Sequence, residues 1–390
     1  MNPPGGQFAE AVDRDRLVGR LAELVGARSE NPPGDEAAAG ALTESYCRDL
    51  GLDVEVHEAE PGRPNVLART GNGNGPTLTY CSHIDVVPAG DPSLWERDPY
   101  SAQVDGSVMH GRGTADAKGP CAAALEAVNV LLEAGAELNG TLELAFVSDE
   151  EAMGFKGAGW LVSERIVRPD LAIVGEPTSL NLVRAQRGAN WIRLTTHGLA
   201  GHGSAPERGR NAIVYMSEVL SHLEETVPDI SHEVLGGPSI NVGTIHGGEK
   251  VNIIPASCSV EIDRRSIPGE TPDQLIAQLE AAVELAKGRY PELTATVELM
   301  FAGMPFEVDP ASELVRIVAG AIEAVTGKPA ELVGFRGASD ARFMAEIGAP
   351  TIVLGPGDIA TAHTAGEHID LGELQACAAV YARAFAQLLA

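Results

Sequence analysis

The sequence predicts an α/β protein in which a mostly parallel sheet is covered by helices and interrupted by an inserted α+β domain. Three observations carry this expectation. The chain has 390 residues, more than one compact core usually serves, and that length favours two domains. Up to residue 186, short apolar runs bounded by turn residues alternate with helical patterns, the grammar of a sheet covered on both faces. From 187 to 303 the order changes to strand, helix, two strands, helix, strand, which matches a split βαβ sandwich, and from 304 the first style returns. The expected division is a discontinuous domain of residues 1–186 and 304–390, with residues 187–303 inserted.

Taken in order, residues 13–27 place apolar side chains at helical spacing, "SENPPGDE" breaks the pattern, and a second helix is expected from about 35 to 50. "NVLART" and "TLTYCSHIDVV" read as strands around "GNGNGP", whose residues tolerate positive φ and suit a hairpin tip. "GRGTADAKGP" leads into an apolar helix from about 120 to 134, with Pro120 acceptable in its first turn. "TLELAFVSDE" and "DLAIVGEP" follow as strands. The inserted segment supplies "ANWIRLTTH", "NAIVYMSEVLSHLEETV", "SINVGTIHG", "ASCSVEID", "PDQLIAQLEAAVELAK" and "LTATVELMF". A helix from about 311, the strand "TIVLG" and a last helix opened by an Asp370/Glu373 capping box complete the chain.

Composition narrows the function classes. Apolar residues make up 44% and are spread evenly, while 44 glycines and 25 prolines occur without a repeat, as in a loop-rich globular protein. The 28 basic and 55 acidic residues give a net charge of −27, which repels nucleic-acid phosphates and anionic membranes. The five cysteines are scattered, with no C-x-x-C pair, and read as small buried side chains in a reducing compartment. "MNPPGGQFAEAV" has no basic segment followed by an apolar one, and no run approaches the roughly 18 apolar residues of a membrane span. The expected location is the cytoplasm, with neither nucleic acid nor membrane as a partner.

The chemistry is expected at the carboxyl ends of the strands, where open α/β sheets bind ligands. Those ends read "CSHIDVVP" (His83, Asp85), "GRGTADAKG" (Asp116), "VSDEE" (Asp149, Glu150, Glu151), "VGEPT" (Glu176) and "TAHTAGEH" (His363). Taken singly, each has a structural explanation: a satisfied turn, a capped loop, a surface acid. Their recurrence at successive strand ends favours a common cause, because like charges a few ångströms apart cannot all stay ionised without cations. Imidazole with carboxylate suits Zn²⁺, with Co²⁺ or Mn²⁺ as alternatives, and the donor count is enough for two ions bridged by one carboxylate at about 3.5–4 Å. His83 and Asp85 share a strand face, so Asp85 is placed to hold the second ring nitrogen of His83.

The ordered blocks "SHIDVVP", "GRGTADAKG", "SDEE", "GEPT", "AGHGSAP", "NIIP", "DRRSIPGE", "GASDARF" and "LGPGDIATAHTAGEH" resemble the M20 metallopeptidase family. That family includes acetylornithine deacetylase, succinyl-diaminopimelate desuccinylase, aminoacylase-1 and glutamate carboxypeptidase, and the likeness spans nearly the whole chain. It implies a zinc-peptidase-like catalytic domain holding two Zn²⁺, with the inserted segment as lid and homodimerisation domain. His83 and Glu176 would complete one metal site, Glu151 and His363 the other, with Asp116 bridging. Glu150 would be the general base and Asp85 would orient His83. His202 would stabilise the oxyanion, in this family often across the dimer, although capping the following turn is an alternative role for it. Arg265 would fork onto a substrate carboxylate, Asn252 would donate to the substrate from the lid, and Gly337 and Ser339 would lie on the substrate side. Asp149 receives no role.

The expected function is a dinuclear-metal amidohydrolase, acetylornithine deacetylase-like, that removes an acyl group from an N-acyl amino acid by metal-activated water. The alternative is a carboxypeptidase or dipeptidase of the same mechanism acting on short peptides. A remote alternative is an inactive binding protein, which would require a lost base or ligand, and none of the six (Glu150, Glu151, Glu176, His83, Asp116, His363) is missing. Three departures blur the substrate. Arg336, Gly337 and Ala338 stand where many members have Gly-Gly-Thr, Ile359 replaces the asparagine of the desuccinylase pattern, and Gly366 replaces the usual Asn or Asp.

Overall fold

The computed structural model describes residues 6–390; residues 1–5, the start of the N-terminal stretch considered above, lie outside the described residues. In chain order the principal strands are β1 (Asp53–Glu58), β2 (Pro64–Gly71), β3 (Thr77–His83), β4 (Thr141–Val147), β5 (Leu171–Val174), β6 (Leu182–Gln186), β7 (Gly188–His197), β8 (Ser239–Gly247), β9 (Ser257–Ser266), β10 (Thr294–Gly303) and β11 (Thr351–Val353). The principal helices are α1 (Arg14–Gly26), α2 (Ala37–Asp49), α3 (Lys118–Glu133), α4 (Ala212–Ser221), α5 (Pro272–Lys287), α6 (Glu313–Thr326) and α7 (Leu371–Leu388). The chain forms two compact units: Met1–Arg184 with Val308–Val333 and Ser339–Ala390, and Ala185–Glu307 with Gly334–Ala338.

In the larger unit the sheet order is β1-β2-β4-β3-β5-β11-β6. Its centre is parallel, with β3 beside β4 and β5, and β11 beside β5. The outer pairs β1/β2, β2/β4 and β11/β6 are antiparallel. A central parallel sheet covered by helices is therefore present, as expected. The hairpin expected around "GNGNGP" is not: β4 lies between β2 and β3, and the two strands do not pair. The turn residues behave as predicted, with Gly71 at φ 113° and Gly73 at φ 71°. Turn chemistry sets a reversal of the chain but not the strand that fills the gap, and the apolar "TLELAFV" of β4 fills it.

The strands at the centre are buried on both faces, and α3, almost wholly buried, lies against β3 between α1 and α7. Its one buried acid, Glu126, receives Arg16 (Nη2 to Oε1, 2.7 Å), Arg20 and the Asp13 N–H, so the charge is fully paired. Asp370 caps α7 as expected by accepting the N–H groups of Gly372 and Glu373. Glu373 does not close the predicted box; its carboxylate instead takes the Gly357 N–H at 2.7 Å, tying α7 to the loop after β11.

The smaller unit has a four-stranded antiparallel sheet in the order β8-β9-β7-β10. One face packs under α4 and α5 through Ile192, Leu194, Tyr215, Met216, Val260, Ile262, Leu275 and Leu279. The period-2 burial along β9 marks that face. Thr271 and Gln274 form a complete capping box on α5.

Candidate metal centre

β3 and β4 run parallel and stop together, with His83 opposite Val147. The residues just beyond them are released from the ladder at one edge, and there the larger unit gathers His83, Asp85, Asp116, Glu150, Glu151, Glu176 and His363. His83 Nε2 lies 3.1 Å from Asp116 Oδ1 and 3.9 Å from Glu176 Oε2. His363 Nε2 lies 3.3 Å from Asp116 Oδ2 and 3.0 Å from Glu151 Oε2. Asp116 thus turns one oxygen toward each imidazole. Ligand atoms of His83, Asp116 and Glu151 all fall within 4.8 Å of one another. The Asp116–Ala117 peptide is cis, and His363 has φ 59°.

The charges around this point are strongly perturbed. Burial alone would depress His83, yet Asp116, Asp85 and Glu176 raise it well above the usual imidazole range. Hydrogen bonds to Asp116 and Glu151 push His363 up to about 10. Burial would raise Asp116, but His363 and His83 hold it well below the usual carboxylate range. Burial and neighbouring acids push Glu150, Glu151 and Glu176 up. Glu176 Oε1 is buried with no hydrogen-bond partner among the described residues. A buried carboxylate oxygen without a donor, on a side chain beside His83, is what a cation would satisfy, so the donor set fits divalent metal.

The surrounding residues explain how the acids are held. His83 Nδ1 is 2.9 Å from the backbone carbonyl of Asp85 and 3.4 Å from its carboxylate. Because β3 ends at His83, the expected same-face pairing is replaced mainly by a bond to the main chain. The Asp85 carboxylate does more elsewhere: it accepts the N–H groups of Glu150 (3.2 Å) and Glu151 (3.1 Å) and the Asn31 side-chain amide (2.8 Å). Asp85 therefore anchors the turn that presents both glutamates.

Asp149 is the other anchor. It occupies a left-handed conformation (φ 73°), accepts the Lys156 N–H at 2.9 Å and pairs with Arg63 Nη1 at 2.7 Å. Arg63 forks in turn onto buried Glu36. The turn also needs Gly154, at φ 66°, because an added Cβ would stand 2.2 Å from Asp340 Oδ1. The buried Asp340 carboxylate has no hydrogen-bond partner among the described residues, and burial raises it to about 7. Asn31 and Arg63 did not stand out in the sequence, and Asp340 lay within the "GASDARF" block without an assigned role. Asn31 sits in a Pro-rich turn and Arg63 ahead of a strand, and neither position carries a local motif.

In the smaller unit His202 and Asn252 are neighbours: His202 pairs with Ile253, and the Gly203 N–H donates to the Asn252 carbonyl at 2.8 Å. The exposed His202 ring accepts the Ser204 N–H through Nδ1. Arg265 is half-buried and donates through Nε to Asp263 at 3.0 Å. Arg264, on the opposite face, is fully buried and committed to Glu270 and Gln278. Gly337 is exposed, whereas Ser339 belongs to the larger unit, is buried, and accepts the Ala341 N–H at 3.4 Å.

The family model described as peptidase family M20/M25/M40 matches residues 80–387, which include His83, Asp85, Asp116, Glu150, Glu151, Glu176 and His363. The chain belongs to this peptidase family. Among its relatives, an acetylornithine deacetylase of Photorhabdus laumondii is 34% identical over 85% of this chain and 85% of its own. An acetylornithine deacetylase of Pectobacterium carotovorum is 37% identical over 84% of this chain and 85% of its own. A tripeptidase from Staphylococcus aureus superimposes with TM-score 0.78 at 23% identity, covering 97% of this chain and 99% of that one. Membership of the M20/M25/M40 family makes the chain a hydrolase of amide bonds.

Proposed function

We propose that the chain is a dinuclear-metal amidohydrolase that releases an amino acid from its N-acyl derivative, with N-acetylornithine-like compounds as leading substrates. The observation that carries this reading is the Asp116 carboxylate, with one oxygen toward His83 and the other toward His363. His83 and Glu176 would hold one ion, Glu151 and His363 the second, and Asp116 both. Two Zn²⁺, with Co²⁺ or Mn²⁺ as alternatives, would polarise the amide carbonyl and lower the pKa of water. Glu150 accepts a proton from the attacking water and passes it to the leaving nitrogen. Asp85 keeps Glu150 in place by its backbone. His202 accepts at Nδ1, which leaves its proton on Nε2 as a donor for the developing oxyanion. Arg265 offers a planar fork to the substrate carboxylate, while Asn252, Gly337 and Ser339 complete the substrate contacts.

The segment 187–303 serves as lid and dimerisation domain. β8 supports this role, because it is an edge strand exposed along nearly its whole length, with Val242 and Ile245 among its exposed side chains. We place the protein in the cytoplasm, in keeping with five free, buried cysteines. Among the described residues no helix is long and apolar enough to cross a membrane. The test is hydrolysis of an N-acetyl amino acid panel, N-acetylornithine included, beside dipeptides by the Zn²⁺- or Co²⁺-loaded protein. Preference for the acetyl compounds is expected. Preference for dipeptides would replace deacylase by dipeptidase, and no amide hydrolysis with any of these metals would end the enzyme reading.

A further inference from the structure

We propose that Glu367 is a positioning residue that locks the two loops of the metal centre, the one carrying Asp116 and the one carrying His363, into a single unit. The inference rests on the reading of Asp116 and His363 as metal ligands. Glu367 is 1% exposed and lies four residues beyond His363. Its Oε1 accepts three backbone N–H groups, from Gly113 (2.8 Å), Ala115 (3.1 Å) and Asp116 (3.1 Å). Its Oε2 pairs with the buried guanidinium of Arg112, and its own carbonyl accepts the Gly111 N–H at 3.0 Å. The segment Gly111–Asp116 is therefore wrapped around one side chain.

Three amides of one short loop converging on an oxygen form a concave anion nest, of the kind that elsewhere receives a phosphate or sulfate. Here the anion is built in. That choice fixes the Asp116 backbone without placing a mobile anion near the ligands. It also couples two segments more than 240 residues apart, since the same residue terminates the His363 loop. The adjoining strand pair, His110 opposite His368, continues the tie beyond the nest. A local role confined to α3 or to the His363 loop would not require a carboxylate that spans both.

Removing this carboxylate should loosen both ligands at once, and changes to groups that orient metal ligands typically weaken metal binding by about 10–100-fold. The experiment is Co²⁺ titration of the metal-free wild type, Glu367→Gln, Arg112→Met and the double variant, followed by the visible ligand-field spectrum and by chelator competition. Thermal unfolding of each metal-free form measures fold stability alongside. Glu367→Gln should weaken Co²⁺ binding at least about 10-fold and alter the spectrum, while a folded melt is retained. Arg112→Met, which leaves the nest occupied, should have a smaller effect. Co²⁺ affinity within twofold of wild type in folded Glu367→Gln would overturn the proposal, as would equal losses in Arg112→Met. Failure of the wild type itself to bind Co²⁺ would instead refute the metal reading on which the proposal rests. If Glu367→Gln does not fold, the comparison passes to Glu367→Asp. Its shorter arm cannot reach the three amides, so wild-type Co²⁺ affinity in that variant would equally overturn the proposal.

Discussion

Loading the metal-free protein with Zn²⁺ should expel protons, and the number follows from the site. His83 is raised well above its ordinary value and His363 to about 10, so both imidazoles carry a proton near pH 7 until a cation replaces it. Ligation therefore displaces at least two protons, and more if Glu176 or Glu151, both pushed up by burial, has retained one. Each displaced proton changes affinity about tenfold per pH unit, so two give about 100-fold, or roughly 2.7 kcal/mol, per unit. The sign for stability is also determined. Both histidines bind protons more tightly folded than unfolded. Their contribution to the metal-free fold is complete below the unfolded value of about 6.5 and is lost as pH rises toward the folded values. The raised Glu150, Glu151 and Glu176 act in the same direction from about 4.5 upward. The metal-free melting temperature should thus fall as pH rises from 6.5 to 9, while the loaded protein changes little. Calorimetric titration in buffers of different ionisation enthalpy counts the protons directly. Release of fewer than one proton at full loading, or a metal-free melting temperature that climbs over this range, would refute the ligand assignment.

Three further predictions concern separate parts of the molecule. Glu150→Ala should lower kcat by about 10²–10⁴ while metal content stays at the wild-type level, because its role is proton transfer; parallel loss of metal would assign it to the ligands instead. Arg63→Met strands Glu36 and Asp149 as buried, unpaired acids and should destabilise the metal-free protein by about 3–5 kcal/mol in urea unfolding, so an unchanged midpoint would remove Arg63 from the support of the turn. Ile245→Asp on the exposed edge strand should convert a dimer into a monomer in light scattering, and a wild type that is already monomeric would dispose of the dimer.

The parts of this architecture that were legible in the sequence are those with a local signature. The β/α alternation follows from apolar periodicity, and the acids and histidines stand out because they follow buried strands. Pairing across the sheet is not local, so the reversal at Gly71–Gly73 was readable while the insertion of β4 between its arms was not. The capping box at Asp370 was half right for the same reason. The cap is a matter of three consecutive residues, but Glu373 found a better donor in Gly357, which only the folded chain brings near. Asp85 was singled out as the partner of His83, yet its carboxylate serves chiefly the amides of Glu150 and Glu151, 65 and 66 positions away. Glu367 and Asp149 escaped assignment because their partners are still more remote or lie outside any motif. Arg63 pairs with Asp149 from 86 positions before it, and Glu367 reaches back 251 residues to the Asp116 amide.

The crowd of acids divides into two groups once partners are assigned, and the division bears on the number of ions. Asp149 pairs with Arg63, which it shares with Glu36, Glu367 pairs with Arg112 and three amides, and Asp85 is stabilised by two amides and Asn31. Carboxylates whose oxygens already accept several N–H donors have few lone pairs left to offer, so these three make little demand on a metal. The remaining charge is that of Asp116, Glu150, Glu151 and Glu176, four negatives once Glu150 is ready to take a proton, beside imidazoles that must be neutral to ligate. One divalent ion would leave this cluster net negative, and it would repel both the carboxylate of an amino-acid substrate and the negative charge that develops on the attacked carbonyl. Two divalent ions bring it to neutral, which removes both repulsions. The charge balance therefore argues for a dinuclear centre independently of the family likeness, because a single ion would leave two negative charges uncompensated.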